Sequence, residues 1–269
     1  WWLRGPAPQE PARVVVRAQR YNALAEMEGD WRQTIPVDNW VLTSLEQREL
    51  ELPAELTKAP GLVWVWFEVL DQSNRVLAGN WAVVEVTGEP HLPEHARVVD
   101  LGSPAAAAWS GEEVERGDHE GAVQLLAGRG HGFFEFALQP PAGIRGLTVL
   151  AELSSARPGP GIPQTDEYAF PTEVSVKLGG EEVQRLILGN QYADARGALS
   201  HMHGFEGRYG EPIRVEVSTE VLRKVLLASE GKVNLRLEVA EGARPAGGLT
   251  IYGPRAGRYP CGLMVLWHR

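Results

Sequence analysis

The chain has 269 residues, 43% of them hydrophobic, which is enough to fill one or two cores; two domains are the natural expectation for this length. Its formal net charge of −9 argues against a nucleic-acid partner, because a phosphate backbone is bound by a concentrated basic surface. No apolar stretch approaches the roughly 18–20 residues that span a bilayer, so we expect no membrane segment.

Short apolar runs separated by many glycines and prolines predict an all-β protein. The first clear run is Leu62–Leu70 (LVWVWFEVL), which is apolar on both sides and therefore predicts a central strand covered on both faces. A polar turn at 71–74 and a second apolar run, Val76–Val86, complete a predicted hairpin. Further on, Gly128–Gly132 predicts another hairpin turn, because the apolar run Phe133–Leu138 follows it.

The C-terminal half alternates apolar and polar residues, which is typical of sandwich strands with one face in the core. The alternating segments are Glu173–Leu178, Ile213–Val217 and Lys232–Val239. One stretch, Glu220–Ser229, predicts a helix, which Ser218 or Thr219 would cap and Gly231 would end.

The domain boundary is predicted in the polar, proline-containing link Gly88–Glu94. Residues 1–88 are of the right size for an immunoglobulin-like β-sandwich. Residues 95–269 are of the right size for a jelly-roll β-sandwich. Cys261 is the only cysteine, so it has no disulfide partner within the chain and is expected to be a buried apolar side chain.

Two stretches resemble parts of a known family. Arg48–Val86, with its order RELELPAEL…GLVWVWFEVLDQSNRVLAGNWAVVEV, resembles the immunoglobulin-like sandwich that follows the catalytic barrel in glycoside hydrolase family 2, the family of β-galactosidase-like proteins. The second stretch runs from FPTEVSVKLGGEEV through YADARGALSHMHGFEGRYGEPIRVEVS to GGLTIYGPRAGRYPCGLMVLW. It is similar to the galactose-binding-like jelly roll of some bacterial members, and its most distinctive piece is Asp194–Ser200.

This resemblance implies a parent glycosidase that acts on a β-linked sugar. The two catalytic glutamates of that family lie on an α/β barrel of about 250 residues, and no strand–helix alternation of that kind is present here. We therefore expect a non-catalytic accessory region whose partners are carbohydrate and the catalytic barrel of the parent chain. Two alternatives stay open: a structural or protein-interaction module without glycan affinity, and a stand-alone sandwich-fold polysaccharide lyase or hydrolase.

The segment Asn190–Glu211 concentrates residue types that bind sugars, which need a flat aromatic face and planar polar groups for the hydroxyls. The candidates are Tyr192 or Tyr209 for the aromatic face, and Asp194, Arg196 and His203 for the polar groups. The alternative is that Asp194 and Arg196 brace a long loop by binding its backbone. For a lyase, the same segment offers His203, Arg208 and Tyr209.

Trp109 follows four alanines and precedes a Ser-Gly pair, so it is a further candidate for a sugar platform, with a core anchor as the alternative. The pair His201 and His203 has ligand spacing, but three or four convergent ligands define a zinc site, and we predict no metal site. No cofactor is expected, with a structural calcium ion left open.

Overall fold

The computed structural model describes residues 13–36, 49–88, 92–117, 120–156, 170–189, 209–229, 231–243 and 247–269. The chain divides into two compact units, Trp1–His91 and Leu92–Arg269. The division falls inside the Gly88–Glu94 link. Across the described ranges no helix is long and apolar enough to cross a bilayer.

The first unit contains a four-stranded antiparallel sheet with the strand order β2-β1-β3-β4. Its elements are β1 (Arg13–Tyr21), β2 (Met27–Pro36), the short helix α1 (Ala54–Thr57), β3 (Gly61–Leu70) and β4 (Val76–Val86). The predicted hairpin is confirmed, because β3 pairs with β4 along its whole length and lies between β4 and β1. In residues 13–36 and 49–88 the strands form this one sheet, and the full immunoglobulin-like sandwich stays a prediction.

The core of the first unit lies on one face of this sheet, where Val16 and Ala18 of β1 pack with Val63 and Val65 of β3 and with Leu56 of α1. These side chains alternate along each strand with residues of the opposite face, as the pleat requires.

Arg20, at 2% exposure, is buried beside this core. Its guanidinium donates hydrogen bonds to the carbonyl oxygens of Leu56, Ala59 and Pro60, and to Glu28 Oε2 at 3.0 Å. The planar fork of arginine can serve several acceptors at once, so Arg20 joins β1 to the segment that leads into β3.

The second unit contains two antiparallel sheets. Its elements are β5 (Ala96–Val98), β6 (Ala106–Trp109), β7 (Glu113–Gly117), β8 (Val123–Arg129), β9 (Gly132–Leu138), β10 (Gly146–Ser155), β11 (Thr172–Leu178), β12 (Glu181–Leu188), β13 (Glu211–Val217), α2 (Thr219–Ala228), β14 (Val233–Val239), β15 (Gly248–Tyr252) and β16 (Met264–His268). One sheet has the order β5-β16-β10-β15-β8-β7, with β13 also paired to β10, and the other has the order β12-β11-β14-β9-β6.

One hydrophobic core joins the two sheets of the second unit. The five-stranded sheet contributes Phe134, Phe136, Val176 and Leu237 among others, and the seven-stranded sheet contributes Leu147, Val149, Ile251 and Trp267 among others. All these side chains are almost fully buried, as expected for two stacked sheets whose strands alternate inward and outward. The predicted all-β class with a two-sheet sandwich in the C-terminal part is therefore confirmed.

The predicted helix is also confirmed. Ser218 caps α2 by accepting a hydrogen bond from the Val221 backbone N–H, and the buried residues Leu222 and Val225 attach the helix to the core.

The prediction of a hairpin turn at Gly128–Gly132 is wrong. The strands on either side of it, β8 and β9, belong to different sheets, so the segment carries the chain from one layer of the sandwich to the other. Gly130, with φ near +76°, supplies the left-handed conformation that this change of direction uses.

Candidate functional site

An open cleft of about 450 Å³ lies at one end of the five-stranded sheet. It is formed where β6 ends, β9 begins and β14 ends. Its main lining side chains are Trp109, His131, Phe133, Arg236, Glu238 and Glu241. The volume is within the range of about 300–1,000 Å³ that is usual for ligand sites, and the mixture of aromatic and planar polar groups is the kind that binds polyols.

Strand register decides which side chains face this cleft. In the pairing of β6 with β9, Ala108 lies opposite Phe133, and in the pairing of β9 with β14, Phe133 lies opposite Glu238. These three residues therefore form one row across the outer face of the sheet. Because the first member of the row is alanine, its methyl group leaves the space beside the Phe133 ring uncovered.

The centre of the cleft is a stacked pair. The Arg236 guanidinium carbon lies 3.9 Å from the centroid of the Phe133 ring, within the range of a cation–π contact. Arg236 also donates from Nε to Glu135 Oε2 at 2.7 Å, and its Nη1 lies 3.5 Å from Glu238 Oε2. The two carboxylates hold the guanidinium plane against the ring, so the aromatic and polar groups of the cleft are fixed relative to one another.

The two carboxylates are themselves held by further neighbours. Lys177 Nζ donates to Glu238 Oε1 at 2.8 Å, and Asn234 Nδ2 donates to Glu135 Oε1 at 3.0 Å. The side chains of Glu135 and Glu238 are only 16% and 18% exposed. Each carboxylate oxygen has at least one protein donor nearby, which pre-orders the acceptors on this surface without using every lone pair.

Trp109 forms one wall of the cleft, but its ring faces the interior. It lies opposite Gly132 in the pairing of β6 with β9, on the same side of the sheet as Phe134, and the two ring centroids are 5.0 Å apart. A Cβ on Gly128 would overlap the indole, so that glycine provides the space in which the ring lies. The ring is half-buried and packs against the main core, which is the contact pattern of the core-anchor alternative. Its role in sugar binding stays a prediction.

Tyr209 is not among the lining residues of this cleft and belongs to a cluster of aromatic and charged groups. The Arg258 guanidinium carbon is 5.4 Å from the Tyr209 ring centroid and 5.6 Å from that of Tyr259.

The fully buried carboxylate of Glu152 holds the backbone of this cluster. It accepts hydrogen bonds from the backbone N–H groups of Gly210, Arg258 and Tyr259, at 2.8–3.0 Å. A Cβ on Gly257 would overlap Glu152 Oε1, so a glycine with φ near +71° lets the chain wrap around the carboxylate.

Burial raises the pKa of Glu152 from 4.5 to about 7, because loss of water disfavours the charged form more than the backbone N–H groups and Arg258 favour it. Burial also raises the pKa of the Cys261 thiol well above its usual range, and the negative charge of Glu152 adds to this effect. The only cysteine is therefore a buried, protonated thiol, as predicted.

Four of the predicted site residues, Tyr192, Asp194, Arg196 and His203, lie outside the described residues, as do His201 and Arg208. Of the described candidates, Trp109 lines the cleft and Tyr209 belongs to the Glu152 cluster. In the part of the chain that the structure describes, no group of three or more His, Cys, Asp or Glu side chains is placed to hold a metal ion. A structural calcium ion stays an untested expectation.

Sequence reasoning missed Phe133, Arg236 and Glu238 as site residues. Arg236 was recognised as an outward-facing position of an alternating strand, and Phe133 as the start of an apolar run. What joins them is the register between β9 and β14, which a single sequence does not reveal.

No protein-family model and no curated protein matches the sequence. Among solved structures, the chain is similar to the C-terminal CBM6 of LamC, a laminarinase from Zobellia galactanivorans, with 11% identity over 64% of this chain and 98% of that chain and a TM-score of 0.35. It is also similar to CBM35 of Abf62 from Cellvibrio japonicus, with 10% identity over 65% of this chain and 98% of that one and a TM-score of 0.31.

A third similar structure comprises the tandem CBM51 modules of a family 98 glycoside hydrolase from Streptococcus pneumoniae. It is 6% identical over 96% of this chain and 77% of that chain, with a TM-score of 0.33. Likenesses this weak establish neither a family nor a ligand for this chain.

Proposed function

We propose that the second unit is a non-catalytic carbohydrate-binding module whose glycan lies in the cleft beside Phe133. The observation that carries this proposal is the stack of Arg236 on Phe133, fixed by Glu135 and Glu238. A pyranose presents apolar C–H groups on one face and hydroxyls around its rim. An aromatic ring bordered by ordered carboxylates and a guanidinium matches both.

The finer part of the proposal is that this module is an accessory region of a glycoside hydrolase family 2-like enzyme, where it would work beside the catalytic barrel of the parent chain. It is supported by the sequence resemblance of Arg48–Val86 and of the C-terminal half. The residues encoded before Trp1 test this part directly. A barrel with two suitably placed glutamates would support it, and a different catalytic domain would refute it.

Glycan binding is tested by isothermal titration calorimetry of the whole chain with a panel of soluble β-linked oligosaccharides. We expect at least one oligosaccharide to bind, and Phe133→Ala to weaken that binding by about tenfold, because an aromatic contact contributes roughly 1 kcal/mol or more beyond its buried area. Circular dichroism and thermal unfolding would check that this half-buried position tolerates the change.

The matched control is Ile187→Ala. Ile187 is an apolar residue of β12 in the same sheet and is 66% exposed, so its truncation removes apolar surface without touching the cleft. Equal binding by the wild type and the Phe133 variant would place the site elsewhere. Binding to no member of a broad panel would favour a structural or protein-interaction module.

A further inference from the structure

The charges around the cleft do not balance. Glu135, Glu238 and Glu241 contribute three negative charges, while Arg236 and Lys177 contribute two positive ones. With histidine neutral, the cleft and its first neighbours carry one net negative charge. The whole chain also has a negative formal net charge, −9.

The positive groups are also engaged. Arg236 is stacked on Phe133 and bonded to Glu135, and Lys177 is bonded to Glu238. An acidic group of a ligand that binds either cation would therefore lie close to the protein carboxylate that is already bonded to it. A neutral sugar meets no such repulsion, since its hydroxyls can donate to lone pairs that Glu238 keeps available.

We propose that the cleft selects neutral, hydroxyl-rich glycans against glycans that carry carboxylate or sulfate groups, and that Glu238 and Glu241 are its specificity-determining residues. This inference rests on the proposed carbohydrate-binding function. Glu238 and Glu241 both line the cleft; Glu238 is half-buried and accepts from Lys177, while Glu241 is exposed. A ligand carboxylate in the cleft would therefore meet like charges.

The experiment compares matched ligands by calorimetry with the full chain. The probes are β-linked tetrasaccharides of glucose, galactose and mannose, each measured beside its counterpart with C6 hydroxyls oxidised to carboxylates. The best neutral ligand is expected to bind roughly five- to tenfold more tightly than its oxidised form, since two like unit charges about 4 Å apart repel by about 1 kcal/mol in water, and by somewhat more beside a protein surface. The gap should shrink in 1 M salt, where screening is strong.

The double variant Glu238→Gln/Glu241→Gln keeps the shape of both side chains and removes both charges. We expect the ratio of neutral to acidic affinity to fall by about five- to tenfold in this variant. The control is Glu113→Gln, which removes an exposed charge from β7 of the other sheet and should leave the ratio unchanged.

The possible results distinguish a failure of this inference from a failure of the proposed carbohydrate-binding function. Equal or tighter binding of the oxidised ligands by the wild type would overturn the inference while leaving carbohydrate binding intact. An unchanged ratio in the double variant would overturn the role of the two glutamates. Binding of neither ligand class would refute the proposed function itself.

Discussion

Glu152 provides a test of how burial and hydrogen bonding compete at a carboxylate. The change is Glu152→Gln, which keeps the size of the side chain and removes its titration. The carboxylate is fully buried on β10 and accepts from the backbone N–H groups of Gly210, Arg258 and Tyr259. The charged group that acts on it is the Arg258 guanidinium, which favours its ionised form, and its own negative charge in turn raises the pKa of the Cys261 thiol.

The magnitude follows from the two states of this carboxyl group. Its pKa is 4.5 when unperturbed and about 7 in the folded chain, so between these values the folded state holds a proton that the unfolded state has lost. The contribution of this carboxyl group to the free energy of unfolding is therefore fully present below pH 4.5. It is lost as the pH rises from 4.5 to about 7, where the folded carboxyl group also ionises. Each pKa unit corresponds to about 1.4 kcal/mol, which gives a total loss of about 3 kcal/mol.

The assay is urea unfolding of the wild type and the Glu152→Gln variant at pH 5, 6, 7 and 8. The free energy of unfolding of the wild type, minus that of the variant, should fall by about 2–3 kcal/mol from pH 5 to pH 8, because the other titrating groups cancel in the difference. The control Glu113→Gln changes an exposed carboxylate and should leave the slope as in the wild type. A flat difference, or one that rises with pH, would show that the backbone N–H groups outweigh burial.

Two further changes test other parts of the structure. Arg20→Met should lower the free energy of unfolding of the first unit by about 3–5 kcal/mol, because three backbone carbonyls and Glu28 lose the donor that they share. Chemical unfolding measures this change, and an effect under about 1 kcal/mol would contradict the role of Arg20. Gly128→Ala should lower the stability of the second unit by about 1–3 kcal/mol, because the new methyl group overlaps the Trp109 ring. Thermal unfolding measures this change. The control is Gly117→Ala, whose new methyl group meets no atom closer than 3.4 Å.

Much of the fold could be predicted from local pattern because each element carries its own signal. Alternation over Glu173–Leu178 and Lys232–Val239 predicted β11 and β14 within one residue at each end. The apolar run Leu62–Leu70 predicted a central strand because both of its faces are predominantly apolar, with Glu68 as its one charged residue. The helix signal at Ser218 was equally local, since a capping side chain acts within three residues.

Sheet membership could not be predicted in the same way. The short turn between β8 and β9 contains the glycines of a hairpin, yet each strand finds its partners elsewhere: β8 pairs with β7 and β15, and β9 pairs with β6 and β14. Pairing depends on contacts between residues far apart in the chain, and a turn motif describes only its own neighbourhood.

The cleft illustrates the same limit at the scale of one side chain. Trp109 and Phe133 are on neighbouring rows of paired strands, so the pleat turns one ring inward and the other outward. The sequence left two interpretations of Trp109 open, a sugar platform and a core anchor, and in the folded sheet Ala108 lies opposite Phe133, which also lines the cleft. A shift of β6 by one residue would turn Trp109 to the outer face, whereas Phe133 would keep its orientation because β9 is also paired with β14. Which of the two rings lies on the outer face of the sheet is therefore a property of strand register, and on that face β6 places only a methyl group opposite Phe133.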